Sequence, residues 1–363
     1  MTRPEWQSLM DLCLETRAED LAGSAEDVNV AVLAALAARL NVESYVLEAL
    51  GPRQPRLAPE PARWLGELRR KVFEVAVDNL QRDEELREAL GRFEAADIPF
   101  ILLKGSALRV ERPGLAGRFQ CDVDILLRRE DLERAEAILL DLGFELDESY
   151  LDRERLLTDH FHLGYQRRGA AMELHWDIDV ISPPGFTDRL WERSHEVERE
   201  GRAFRVLAPE HQLLVGCLHL SRHAFEGGLR WLADLRLLLP APPEVRERFA
   251  GEALAWPRRA VYCPLWFLAG LGVPGSEAFP DGLEAGPAER RLLASLLVPL
   301  LLCEPWMGLP AWRCAKALHA WLFSDRSLFS LLPEVWGEGL LSRVRAPEPP
   351  SGMSAPGPQR PPA

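Results

Sequence analysis

The fold class rests on the segment CDVDILL, at residues 121–127, which is an apolar run that contains two carboxylates. Residues two apart on a β-strand project from one face, so Asp122 and Asp124 point together, about 6 to 7 Å apart, while Val123 and Ile125 face the core. Without a cation the two carboxylates repel each other, and magnesium prefers oxygen ligands of this kind. The segment predicts a strand that presents a divalent-cation site, although a DxD pair alone also occurs on solvent-facing sheets.

The segment LLKGS, at residues 102–106, ends a predicted strand and begins a predicted helix. Gly105 lets the backbone approach a phosphate, and the free N–H groups of a helix N-terminus bind phosphate oxygens. Ser106 adds a hydroxyl donor and Lys104 adds a positive charge. The alternative is a tight turn in which Ser106 is an ordinary helix N-cap. In combination with the two aspartates, the segment favours nucleotide binding.

A third carboxylate, Glu173, lies in the alternating segment MELHW, where it shares a strand face with His175. Three carboxylates with a Gly-Ser turn suit two-metal phosphoryl transfer, in which one ion activates the attacking oxygen and the other binds the triphosphate. Asp177 and Asp179 share the same face by alternation. The third acid is therefore Glu173, with Asp177 and Asp179 as alternatives.

Arg118 lies four residues before Asp122, just outside the predicted strand. Its guanidinium is able to grip triphosphate oxygens in a bidentate manner, or to form a structural salt bridge, and both interpretations stay open. On a predicted helix, Trp231 and Asp234 lie three residues apart. This spacing favours a supporting role, in which Asp234 accepts a hydrogen bond that fixes the helical part to the sheet.

Histidines offer a competing interpretation as zinc ligands. His160 and His162 are predicted to share a strand face, and His219 and His223 lie at i, i+4 on a predicted helix, a spacing that can bind zinc. No third ligand is evident, and neither an HExxH pattern nor a cysteine pair is present. The sequence therefore favours packing roles for these side chains.

The apolar period changes along the chain and predicts four regions. These are an N-terminal helical region at 1–97, a sheet domain at 98–208, a C-terminal helical domain at 209–344 and a disordered Pro-rich tail at 345–363. The predicted class is α+β, with a small mixed β-sheet flanked by helices.

Local patterns place the individual elements. The predicted strands cover residues 99–103, 121–127, 144–146, 160–166 and 171–178. A charged amphipathic segment closed by Gly143 predicts a helix at 129–142. The predicted C-terminal helices cover residues 211–221, 229–239, 261–271, 288–302 and 311–323.

Composition restricts the partners. The net charge of −13 disfavours nucleic acid, whose binding depends on clustered Lys and Arg. The first 14 residues lack the features of a secretory signal, so we expect a cytoplasmic protein. The longest apolar stretch, at 292–303, contains Pro299 and is shorter than the roughly 20 residues of a spanning helix, so no membrane contact is expected.

Three segments, at residues 103–106, 118–127 and 173–176, resemble a bacterial family of uncharacterised nucleotidyltransferases in the DNA polymerase beta-like superfamily. The resemblance extends to the segment WLAD at 231–234 and to His219, which it places near the nucleotide. It spans about residues 65–240.

The resemblance implies a mixed sheet flanked by helices and a particular set of site residues. Mg²⁺, or Mn²⁺ in its place, is expected at Asp122 and Asp124. Phosphate contacts are expected at Gly105 and Ser106. Glu173 occupies the position of the third acid, as a catalytic residue and metal ligand.

These observations predict a magnesium-dependent nucleotidyltransferase. It would transfer a nucleoside monophosphate from a nucleoside triphosphate, such as ATP, to a hydroxyl acceptor and release pyrophosphate. The acceptor is a small molecule, a sugar, a peptide or a protein side chain. The alternative is a nucleotide-binding regulatory or interaction module of the same fold with little turnover. A third hypothesis, hydrolysis through the histidines, requires bound zinc.

Overall fold

The computed structural model describes residues 3–14, 30–50, 59–147, 152–225, 228–276 and 318–323. The predicted helix at 288–302, most of the one at 311–323 and the predicted tail at 345–363 lie outside these residues.

A seven-stranded mixed sheet forms the centre of the molecule, in the order β3-β4-β5-β2-β1-β7-β6. The strands are β1 (Phe100–Leu102), β2 (Val123–Leu127), β3 (Glu145–Leu146), β4 (His162–Arg167), β5 (Ala170–His175), β6 (His195–Arg199) and β7 (Arg202–Val206). β2 lies between β1, with which it is antiparallel, and β5, with which it is parallel. β1 also pairs in parallel with β7.

Helices surround this sheet and confirm the predicted α+β class. They are α1 (Arg3–Leu14), α2 (Val30–Leu40), α3 (Glu43–Leu50), α4 (Pro59–Ala95), α5 (Lys104–Glu111), α6 (Leu132–Asp141), α7 (Arg153–Asp159), α8 (Phe186–Arg193), α9 (Pro209–Arg222), α10 (Gly228–Leu237), α11 (Pro243–Ala253) and α12 (Arg258–Gly270). None of the helices in the described residues combines the length and the apolar character needed to span a bilayer.

Each face of the sheet has its own core, because alternate strand residues face opposite sides. Ile101 and Leu126 join a core that contains both the N-terminal helices α1–α3 and the C-terminal helices α9–α12. Leu102 and Ile125 join a second core with the end of α4 and with α6. The two predicted helical regions therefore share one core, and the predicted domain boundaries stay predictions.

Two details of the predicted strands are wrong. His160 is the C-terminal cap of α7, because that helix takes up the segment up to Asp159, so His160 does not share a strand face with His162. β5 ends at His175, three residues before its predicted end, so the alternation does not extend to Asp177 and Asp179. The hairpin of β6 and β7 was not predicted.

Candidate active site

The parallel pairing of β2 and β5 brings the carboxylates together. Asp124 lies directly opposite Glu173 in the register of these strands, and Asp122 precedes β2 by one residue. Asp124 is buried, whereas Asp122 and Glu173 are half-buried. All three line one cleft of about 260 Å³ between the sheet and the helices α9 and α10.

Two nitrogen groups lie among these carboxylates. The Lys104 Nζ atom is 2.5 Å from Asp124 Oδ1 and 3.7 Å from Glu173 Oε2. His175 Nε2 is 3.0 Å from the same two oxygens. His175 is 1% exposed, so its ring is held inside the sheet face that carries Glu173. The cluster thus combines three acidic groups with two that are able to carry positive charge.

The charges in this cluster are not balanced. Burial, Asp124 and Glu173 together raise the pKa of Asp122 to about 6. Burial also tends to raise the pKa of Asp124, but Lys104 and His175 hold it well below its usual value. The pKa of Glu173 is lowered, because His175 and Lys104 outweigh burial and the repulsion from Asp124. Uncompensated negative charge therefore remains around Asp122.

The turn between β1 and α5 approaches the carboxylates through its backbone. The Leu103 N–H donates to the Asp124 carbonyl oxygen over 3.0 Å. Lys104 begins α5 with a φ of 48°, a left-handed conformation that a residue with a side chain rarely adopts. A Cβ atom at Gly105 would lie 2.4 Å from Arg118 Nη1, so only glycine fits this position without a shift. Lys104 and Gly105 both line the cleft.

Ser106 is not the N-cap of α5, because Leu103 holds that position and no side chain caps the helix. The buried Ser106 hydroxyl instead accepts a hydrogen bond from Gln120 Nε2 over 2.6 Å. Gln120 Nε2 also donates to the Asp122 carbonyl oxygen over 2.5 Å. Ser106 is absent from the cleft lining in the part of the chain that the structure describes. Gln120, which sequence analysis missed, thus joins Ser106 to the DxD segment.

Arg118 is 5% exposed and forms a bidentate salt bridge with Asp234, with distances of 2.8 Å from Nε to Oδ1 and 2.6 Å from Nη2 to Oδ2. Its Nε also donates to the Tyr45 hydroxyl over 3.0 Å. Of the two interpretations left open for Arg118, these contacts support the salt bridge. Asp234 accordingly accepts hydrogen bonds that tie α10 to the DxD segment.

The alternatives to Glu173 as third acid are engaged elsewhere. Asp177 Oδ1 accepts hydrogen bonds from the Ile178 N–H and the Thr187 hydroxyl. Asp179 forms a bidentate pair with Arg222. Glu173 is the one of the three that lies opposite Asp124.

His219 lies in the cleft wall formed by the C-terminal helices. Its ring contacts Trp231 edge-on, with centroids 4.4 Å apart, and lies 4.6 Å from the ring of His223. Burial and the nearby Lys104 charge hold the pKa of His219 well below its usual value. His219 therefore presents a neutral ring toward the cleft at physiological pH.

The ligand atoms of His162, Glu173 and His175 lie within 4.8 Å of one another, which makes these three residues a group that could hold a metal ion. This group was not predicted from the sequence, because His162 was expected to share a strand face with His160. The sequence indicated only that Glu173 and His175 share a strand face. The pairing of His162 with His175 depends on the register of β4 against β5, which the sequence did not give.

One comparison with known proteins identifies the family. The model of a family described as uncharacterised nucleotidyltransferase matches residues 26–264, a range that contains every site residue described above. Neither a curated protein nor a solved structure matches the chain at a significant level. Because the matched range covers more than half of the 363 residues, the chain belongs to this family of uncharacterised nucleotidyltransferases.

Proposed function

We propose that the protein transfers a nucleoside monophosphate from a nucleoside triphosphate to a hydroxyl acceptor and releases pyrophosphate. The observation that carries the proposal is the convergence of Asp122, Asp124 and Glu173 in one cleft, where negative charge exceeds positive charge. Family membership supports nucleotidyl transfer in general. The acceptor, the nucleotide and the metal are part of the proposal.

The three carboxylates suit a hard divalent cation. Asp122, Asp124 and Glu173 offer oxygen ligands, and the pKa of Asp122 is raised by burial and by repulsion from Asp124 and Glu173, which such a cation would relieve. We assign them to Mg²⁺, or Mn²⁺ in its place. When bound, the ion supplies charge that stabilises the triphosphate and the leaving pyrophosphate.

The residues of the chain have distinct roles in this proposal. The Lys104 ammonium, beside Asp124 and Glu173, is available to triphosphate oxygens as they enter. Gly105 presents the start of α5 to the cleft, and Gln120 orients the buried Ser106 hydroxyl behind it. Arg118 acts indirectly, by holding the turn at Gly105 in place.

Transfer itself makes one bond and breaks one. The acceptor oxygen bonds to the α-phosphorus, and the bond from that phosphorus to the bridging oxygen of the β-phosphate breaks. The hydroxyl proton passes to Glu173, which lies beside Asp124 and is half-buried at the cleft. Pyrophosphate leaves with the electron pair of the broken bond.

The cleft wall opposite the carboxylates is where we place the rest of the substrates. His219, His223 and Trp231 form a cluster of packed rings there, and His219 is assigned to the nucleotide. The net charge of −13 makes a nucleic-acid acceptor unfavourable, so we propose a small molecule, a peptide or a protein in the cytoplasm.

Labelled substrate tests this proposal. The wild type and the Asp122→Asn/Asp124→Asn variant are incubated with each nucleoside triphosphate labelled at the α-phosphate, with Mg²⁺ or Mn²⁺ and a cell extract that supplies acceptors. We expect label transfer by the wild type alone. The matched control is Asp141→Asn, which alters an exposed carboxylate on α6 and should keep full activity. Equal labelling by all three proteins, or none by any, contradicts the proposal.

A nucleotide-binding module with little turnover is the second candidate. The observation in its favour is that Lys104 and His175 already neutralise much of the charge on Asp124 and Glu173. It predicts that wild type and the double variant bind nucleotide equally in the absence of metal and that neither transfers label. Equilibrium binding of labelled nucleotide beside the transfer assay separates the two candidates.

A further inference from the structure

Nitrogen ligands lie next to the carboxylate cluster and have no part in the proposed transfer. β4 and β5 are antiparallel neighbours, and their register places His162 opposite His175. The two rings stack with centroids 4.8 Å apart and an interplanar angle of 29°. Glu173 is two residues before His175, on the same strand face. Strand pairing alone therefore gathers two imidazoles and one carboxylate.

The spacing of these groups is that of ligands around one ion. His175 Nε2 is 3.0 Å from Glu173 Oε2, and His162 Nε2 is 3.9 Å from Glu173 Oε1. Bonds of about 2.1 Å to one metal ion place its ligand atoms at most about 4.2 Å apart. The ligand atoms of His162, Glu173 and His175 lie within 4.8 Å of one another, so a shift of less than about 1 Å closes the set.

A packing role does not account for His162. Its Nδ1 is buried without a hydrogen-bond partner in the described part of the chain, and its Nε2 is too far from Glu173 for a hydrogen bond. His175 Nδ1 also lacks a partner among the described residues. Buried polar atoms are normally paired, so packing gives no reason for a histidine at position 162, and its Nε2, which faces Glu173, is free to bind a ligand.

We propose that His162, Glu173 and His175 form a binding site for a divalent transition-metal ion of the zinc and cobalt class. Imidazole nitrogen favours such ions, whereas Mg²⁺ favours an all-oxygen set. The two oxygens of Glu173 face different groups, Oε1 toward His162 and Oε2 toward His175 and Lys104. The site therefore lies beside Asp122 and Asp124. It rests on the proposed function only in that both sites use Glu173.

Metal binding by the full chain tests the site without an activity assay. Metal-free wild type is titrated with Co²⁺, followed by the visible absorption that imidazole coordination intensifies, and with Zn²⁺ in competition. We expect one Co²⁺ per chain with the absorption of imidazole coordination, displaced by Zn²⁺. His162→Ala should bind Co²⁺ at least roughly tenfold more weakly, and His162→Asp, which restores a ligand, should recover part of the affinity. The control is His160→Ala, an exposed neighbour outside the set, which should bind as wild type does.

Two outcomes overturn the proposal: folded wild type that binds no Co²⁺, or equal affinity in wild type and His162→Ala. Folding is checked by circular dichroism for every variant. The Asp122→Asn/Asp124→Asn variant must keep Co²⁺ binding while it loses label transfer. If transfer is absent but Co²⁺ still binds through His162, the proposed function fails and the metal site stands.

Discussion

Two buried ionic clusters lie on either side of the Gly105 turn and differ in balance. At one, Arg118 meets a single carboxylate, Asp234, in a bidentate pair that the Tyr45 hydroxyl completes. At the other, Asp122, Asp124 and Glu173 outnumber their cationic neighbours and open onto the cleft.

The pair of Arg118 and Asp234 is suited to support the fold, whereas the three carboxylates are suited to bind a cation. A matched buried pair loses stability when one partner is removed, because the remaining charge is left without compensation. In the cluster with excess negative charge, the pKa of Asp122 is raised, so the loss of this one carboxylate relieves the fold while it removes a ligand. Removal of Asp234 should therefore lower the stability of the fold, whereas removal of the Asp122 carboxylate should lower activity without loss of stability.

Asp234→Ala should have the largest effect. It leaves the Arg118 guanidinium buried without a counter-charge, which costs about 3–5 kcal/mol of unfolding free energy. Urea denaturation measures the loss. The control is Asp188→Ala, which breaks the exposed pair with Arg128 and should cost less than about 1 kcal/mol. Equal losses in the two variants would show that the buried pair does not support the fold.

Asp122→Asn should lower nucleotidyl transfer by roughly 100- to 1000-fold, the scale of losing one electrostatic stabiliser. It should leave the melting temperature unchanged or higher at pH 7. A carboxyl whose folded pKa is raised to about 6 destabilises the folded state once pH exceeds its unfolded value, and the amide removes this effect. The melting difference between variant and wild type should shrink as pH falls from 7 to 4. A large loss of stability in Asp122→Asn at pH 7 would contradict the repulsion inferred at Asp122.

The cluster of Asp122, Asp124 and Glu173 could be predicted from the sequence because the patterns that indicate it are local. The alternation around Asp122 and Asp124 and around Glu173 and His175 assigns side chains to strand faces without knowledge of the fold. Two such faces meet when the strands pair in parallel. Glycine at position 105 marked a close backbone approach, and a Cβ atom there would meet Arg118 Nη1.

The pair of Arg118 and Asp234 and the pair of His162 and His175 were harder to predict, because each depends on contacts between residues distant in the sequence or on strand register. Arg118 and Asp234 are 116 residues apart, so sequence alone left two roles open for Arg118. The position of His162 depends on the register of β4 against β5. The β6–β7 hairpin was missed because its strands are largely exposed and polar, which leaves little apolar alternation, despite the turn at Glu200 and Gly201 with positive φ.

Lys104→Met removes a cation from the cluster of Asp122, Asp124 and Glu173. Asp124 and Glu173 lose a neighbouring charge, so without divalent metal the melting temperature should fall by several degrees. Saturating Mg²⁺ or Mn²⁺ should restore most of that loss and should shift wild type less. Thermal unfolding with and without metal measures both effects, and Lys71→Met, an exposed site on α4, is the control. A metal shift no larger in Lys104→Met than in wild type argues against cation binding at these carboxylates.

Gln120→Ala should have the smallest effect, because Gln120 acts through other groups. Its side chain donates to Ser106 and accepts from Arg109 over 3.1 Å, and Arg109 is anchored to Asp83 of α4. We expect about a tenfold loss of transfer, on the scale of one buried hydrogen bond to a neutral group. Ser106→Ala and the double variant complete a cycle. If Gln120 works by orienting the Ser106 hydroxyl, the double variant should be no slower than Ser106→Ala, whereas multiplied losses would assign Gln120 an independent role through the Asp122 backbone.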